Sequence, residues 1–147
     1  DIYYTTDGSI PNNKSKKYEE EIVLTNTTVI NAVTYENGKI KSDVITNSYI
    51  INENHTVPVL SISTNNSDFR YLTNNSWSDI EIEGNIEFYE DKGSFSIPCG
   101  IKLFGGNARS QNKKSFSIKF RGKYGESDLK YKIFICSNIQ KHPLIFF

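Results

Sequence analysis

Apolar and polar positions alternate with a period of two in several short runs, and before residue 52 no stretch of eleven residues keeps a helical period. Ile2, Tyr3, Tyr4, Thr5 and Thr6 form a β-branched and aromatic run that stops at the turn residues Asp7, Gly8 and Ser9, with Pro11 just beyond. Glu21, Ile22, Val23 and Leu24 predict a second strand, and residues 27–35 a third. In the third, Val29, Asn31, Val33 and Tyr35 share one face, with Thr28, Ile30, Ala32 and Thr34 on the other. Both faces are mostly apolar or small, as in a strand held within a sandwich. Asn37 and Gly38 are a hairpin-turn pair leading to a last strand around residues 43–51.

Asn52, Glu53, Asn54, His55 and Thr56 are polar and without period, so a linker is expected at 53–56. Val57 and Pro58 then open a strand over 59–63, and residues 64–78 predict a loop or short helical turn holding the only tryptophan, Trp77. Period two returns between 85 and 120, where Cys99, Ile101 and Leu103 share one face of a strand and Phe116, Ile118 and Phe120 one face of another. The expected fold is mainly β: an incomplete immunoglobulin-like β-sandwich over 1–52, then a mostly antiparallel sheet from 57 to about 134.

Composition narrows the function classes. The 147 residues suit one ordinary domain or two small ones, and 17 basic residues balance 17 acidic ones. Zero net charge argues against a protein held to nucleic acid or an anionic membrane by its overall field. The longest apolar run is residues 144–147, too short for a membrane span. Asp1 is no natural translation start, so a cut N-terminus and a fragment are expected. Cys99, Cys136, His55 and His142 are too scattered for a zinc spacing, and two histidines give little support to a Ser-His-Asp or Cys-His set. Whether Cys99 and Cys136 form a disulfide stays open. Tyr3, Tyr4, Tyr18, Tyr35 and Tyr49 could make a platform for sugar rings, but sandwich filling is the favoured reading. Asp7 before Gly8 reads as a turn residue rather than a calcium ligand.

Charge then separates along the second segment. Asp79, Glu81, Glu83, Glu87, Glu90 and Asp91 fall within 79–91 with no basic residue among them, and they read as a solvated strand face. From 102 to 132 nine basic residues meet only Glu126 and Asp128. Two readings compete: oppositely charged neighbouring strands pairing across a sheet, or a basic surface that receives phosphate. The second centres on the loop 105–114, where Gly105 and Gly106 permit positive φ and close backbone approach. Arg109, Ser110, Lys113 and Lys114 there supply cations and a hydroxyl as the candidate phosphate or nucleotide contacts. Lys114 shares the parity of Phe116, Ile118 and Phe120, so it should point inward and need an anionic partner.

Two family resemblances follow from these residues. The run from Ile2 to Pro11, with Tyr18, Thr27-Thr28-Val29 and Tyr49, resembles the chitobiase/β-hexosaminidase C-terminal-type module over residues 1–52. That family implies a small immunoglobulin-like sandwich appended to secreted bacterial enzymes and surface proteins, with an opening strand before Asp1. Gly100 through Ser115, together with residues 58–62, 87–90 and 121–125, resembles the N-terminal part of CotH-type proteins, the spore-coat-protein-H family of atypical kinases. Ala108 and Asn112 depart from that family's pattern without removing a charge. The resemblance makes residues 57–147 the N-terminal portion of an α+β kinase-like domain, with the match fading after about 134. A truncated or frame-shifted end would account for that fading.

What this second resemblance implies is transfer of phosphate from ATP, with Mg²⁺, to Ser/Thr of a coat or surface protein. The setting would be extracellular, at the bacterial cell surface or spore coat. Nucleotide contacts would fall on Arg109, Ser110, Lys113 and Lys114, while the catalytic acidic residues would lie outside this sequence, leaving the fragment inactive alone. The alternatives are a carbohydrate- or surface-associated binding module, with polysaccharide as partner, and a structural spacer without a site.

Overall fold

A computed structural model describes residues 1–131, 133 and 144–146. Its strands are β1 (Ile2–Thr5), β2 (Lys16–Lys17), β3 (Thr28–Glu36), β4 (Lys39–Ile40), β5 (Ile45–Tyr49), β6 (Val59–Thr64), β7 (Glu81–Glu90), β8 (Gly93–Phe104), β9 (Ser115–Lys119) and β10 (Leu144–Phe146). One α-helix, α1 (Asn66–Asn74), precedes β7, and a 3₁₀ turn, Asn107–Arg109, lies between β8 and β9. The fold is mainly β, with two antiparallel five-stranded sheets, as the alternating pattern predicts. The chain divides into two compact units, Asp1–Asn66 with Glu87–Ser96, and Ser67–Ile86 with Ile97–Phe147.

In the first unit β3 is the organising strand. It pairs with β1 on one side, Tyr3 opposite Val33, and with β5 on the other, Ile30 opposite Asn47. Past the end of β5, β3 turns back through Asn37 (φ 50°) and Gly38 (φ 74°) onto β4, the two left-handed residues that a tight hairpin requires. Tyr4 and Val33 are buried together with Pro11, while Tyr3 and Tyr35 meet edge to face at 5.3 Å. The buried Asn31 is fully partnered: its amide donates to Ser9 O at 3.1 Å and its carbonyl accepts from Thr46 Oγ1 at 2.8 Å.

Residues 21–24 form no strand, contrary to the pattern, and Val23 is 80 % exposed. Both sides of β3 are already taken by β1, β5 and β4, so this short apolar run behind Glu19, Glu20 and Glu21 does not pair with the central strand. The last strand is confined to Ile45–Tyr49 and pairs with β3 rather than with its sequence neighbour β4.

Asp7 is held as a turn residue, its carboxylate accepting from Ser9 N at 3.0 Å and Ser9 Oγ at 2.5 Å. Those two hydrogen bonds hold its carboxyl below the usual range.

In the second unit Leu72, Ile82, Ile86, Cys99, Ile101, Leu103, Ile118, Phe120 and Leu129 are buried. β9 pairs with β8 in the register Ile101 opposite Ile118 and Leu103 opposite Phe116, which places the two predicted apolar faces together. On its other side β9 carries β10, with Ile145 opposite Ile118. Burial alone pushes the Cys99 thiol up to about 12, so it is an inert core group. Cys136 and His142 lie outside the described residues, and with them the disulfide question.

Candidate functional site

The loop between β8 and β9 begins at Gly105, whose φ of 86° is the left-handed conformation that the sequence allowed for. Gly106 has an ordinary φ of −86° and leads into the 3₁₀ turn, which closes with Arg109 N on Gly106 O at 3.1 Å and Ser110 N on Asn107 O at 3.1 Å. The turn brings the half-buried Arg109 side chain back under the loop. Its Nε donates to Gly105 O at 2.8 Å and one terminal nitrogen to Leu103 O at 3.2 Å. The other terminal nitrogen donates to Ser76 O at 3.0 Å and reaches Ser78 O at 3.5 Å. A planar fork of five donors is well matched to such an array of carbonyls.

Lys114 completes the loop from its far end, donating to Arg109 O and Gln111 O, each at 2.8 Å. This corrects the inward-pointing lysine expected from strand parity. β9 starts at Ser115, so the period-two rule does not reach Lys114, and its partners are neutral carbonyls rather than an anion. Ser110 Oγ is likewise turned onto Asn107 O at 2.8 Å. Lys113 differs from all three: it is exposed and makes no hydrogen bond or ion pair among the described residues. Arg109, Lys113 and Lys114 thus bring three positive charges to one loop, and none forms an ion pair with a carboxylate among the described residues, although the Arg109 charge is felt at Asp79.

The remaining basic residues of the stretch behave differently. Glu81 on β7 is gripped by Arg121 at 3.1 Å, Lys123 at 3.1 Å and the Tyr124 hydroxyl at 2.9 Å. The Lys123 ammonium also lies 4.4 Å from the Tyr124 ring centre. A turn closed by Tyr124 N on Arg121 O at 2.8 Å presents these three side chains together. Gly100 makes room for them: a Cβ there would stand 2.8 Å from Glu81 Oε1 and 2.7 Å from Tyr124 Cε2. Burial acts to raise the Glu81 pKa, but hydrogen bonds from Lys123 and Tyr124 and the Arg121 charge outweigh it, and the carboxyl is held below its ordinary value. Lys102 pairs with Asp79, and its hydrogen bond and charge lower the Asp79 pKa. Part of the opposite-charge pairing weighed from the sequence is therefore present.

Two acidic residues were misread: Glu81, only 15 % exposed, lies among Arg121, Lys123 and Tyr124 rather than on a solvated face, and Glu87 is buried outright. Glu87 is 1 % exposed, not on a solvated face, because Asn85, Ile86, Glu87 and Phe88 are all buried and the alternation lapses there. Within the first unit its carboxylate accepts from Ser48 N at 2.9 Å, from the Ser48 hydroxyl, and from Tyr89 OH at 2.6 Å. Burial and the Glu87 hydrogen bond push the Tyr89 phenol up to about 12. A Ser and a Tyr distant in sequence carry no signature that would have found this arrangement.

The fold is that of a β-rich protein. Residues 1–49 match the family model described as Fn3 associated, a chitobiase/hexosaminidase C-terminal-like associated module. No curated protein and no solved structure matches the chain. Among the described residues no helix is long and apolar enough to cross a membrane.

Proposed function

We propose that residues 57–134 are the N-terminal part of a CotH-type ATP-dependent phosphotransferase domain, preceded in the chain by an Fn3-associated-like accessory module. In this reading the loop 105–114 is the phosphate-facing element, the acceptor is Ser/Thr of a coat or surface protein, and the setting is extracellular. The observation that carries it is the contrast in counter-charge. Lys102, Arg121 and Lys123 each form an ion pair, Lys102 with Asp79 and the other two with the shared Glu81, whereas Arg109, Lys113 and Lys114 form no ion pair with a carboxylate among the described residues. A dense patch of cations without ion-pair partners raises the local concentration of anions.

The donor set fits phosphate better than it fits Mg²⁺. Lys113 can meet a phosphate oxygen without giving up an existing bond, while Arg109 and Lys114 act through the field and through the shape they impose on the loop. The described residues bring no three of His, Cys, Asp or Glu together as a metal site.

The bonds already made by Arg109 and Lys114 favour a second reading, a surface-associated module or structural spacer in which these cations serve only the loop. Calorimetric titration with Mg-ATP separates the two. Salt-sensitive binding that Lys113→Ala weakens several-fold supports the phosphate loop. No heat with millimolar Mg-ATP at low salt, or binding that Lys113→Ala leaves unchanged, removes it.

A further inference from the structure

The same guanidinium does something that a phosphate reading does not require. Its four acceptors are the carbonyls of Ser76 and Ser78 on one side and of Leu103 and Gly105 on the other. Each pair brackets an aromatic residue. Trp77 stands between the first two and is 70 % exposed; Phe104 stands between the second two and is 44 % exposed. Tryptophan is rarely left this open, because its large apolar surface gains so much from burial. The turn carrying Trp77 is fixed as well from the helix side, by Ser78 N on Asn75 O at 2.9 Å and Ser76 Oγ on Thr73 O at 2.5 Å. The backbone on either side of Trp77 is thus held from both directions, and its ring stands exposed above it.

We infer that Trp77 and Phe104, with Lys113 and the charge of Arg109 and Lys114, form a binding surface for an acidic polysaccharide. A sugar ring offers one flat apolar face suited to an aromatic platform, and a repeating carboxylate suits a loop bearing three cations without carboxylate partners. Asp79, the nearest acid in sequence, is paired with Lys102 and also feels the Arg109 charge, so it offsets part of that charge and leaves Lys113 and Lys114 as the cations open to the ligand. Anchoring the platform before the ligand arrives lowers the ordering cost of binding. The surface lies wholly in the second unit and owes nothing to the tyrosines of the first. It does not depend on nucleotide binding.

Trp77 is the only tryptophan, so its emission reports directly on the site. An oligogalacturonate titrated into the chain should shift and quench that emission, with affinity falling as salt rises. Measured by calorimetry, Trp77→Ala should weaken binding about tenfold and Lys113→Ala several-fold; both side chains are exposed, so the fold should survive. The fully methyl-esterified oligomer keeps the rings and loses the charge; polyglutamate keeps the charge and loses the rings; both should bind more weakly. Equal binding by Trp77→Ala, by the methyl ester or by polyglutamate would overturn the inference. Galacturonate binding without Mg-ATP binding would remove the phosphotransferase reading alone, and the reverse result would remove this one alone.

Discussion

Two groups of cations, close in sequence, illustrate two ways of handling positive charge. Around Glu81, Arg121 and Lys123 meet a carboxylate that is only 15 % exposed, and the Tyr124 phenol completes its coordination. In the loop 105–114, Arg109 and Lys114 meet only backbone carbonyl oxygens. Both arrangements satisfy donors, yet they leave different residues of charge. A carboxylate cancels one unit of positive charge, so the first group, two cations on the single Glu81 carboxylate, keeps only part of its charge. A carbonyl accepts the hydrogen bond and leaves the charge in place, so the second group stays attractive to anions. Hydrogen-bond satisfaction and charge neutralisation are separate quantities, and only the second decides where an anionic ligand is drawn.

The largest effect that would break this comparison is Arg109→Ala. Removing the guanidinium strips partners from four carbonyls at once, and we expect a loss of about 2–4 kcal/mol in denaturant unfolding. Arg109→Lys should recover only a minor part, since a point ammonium cannot span two backbone segments. An alanine variant as stable as the wild type would mean that the clamp contributes nothing.

Next comes Gly100→Ala. Its methyl would meet Glu81 Oε1 at 2.8 Å and Tyr124 Cε2 at 2.7 Å, and we expect a cost of about 1–3 kcal/mol with the ion cluster dispersed. Loop 105–114 should keep its chemical shifts in the same variant, because it shares none of these partners.

Acid titration sharpens the contrast further. The Glu81 carboxyl ionises at a lower pH in the folded chain than in the unfolded one. Its contribution is therefore complete above the unfolded value near ~4.3 and is lost as pH falls through the lowered folded value. Amide signals of Arg121 to Tyr124 should move over that acid range, while those of Arg109 to Lys114, held by carbonyls, should stay still. Glu81→Gln should abolish the acid-dependent step and cost about 1–2 kcal/mol at neutral pH. Equal movement in both segments would show that the groups are coupled.

The smallest structural effect belongs to Lys113→Ala. With no partner to lose among the described residues, it should change stability by less than about 0.5 kcal/mol while reducing anion binding. A large loss of stability would place Lys113 in the fold rather than on a surface for ligand.

Much of this architecture was legible one residue at a time. Period-two alternation marked β3, β8 and β9, because a strand's inward face is a local consequence of its geometry. Asn37 and Gly38 marked a hairpin because few other residues tolerate two consecutive left-handed conformations. The cationic character of 105–114 was equally plain. Residues 21–24 show where such reasoning stops: their composition suits a strand, but a strand also needs a pairing partner, and the central strand β3 is paired on both sides by β1, β4 and β5. Glu87 and Lys114 show the same limit for side chains. Residue type and position along the chain determined which groups carry charge and which runs extend. Only the tertiary structure decided which cation meets a carboxylate, which meets a carbonyl, and which aromatic ring remains outside. Those outcomes depend on distances between segments far apart in sequence, and no local pattern encodes them.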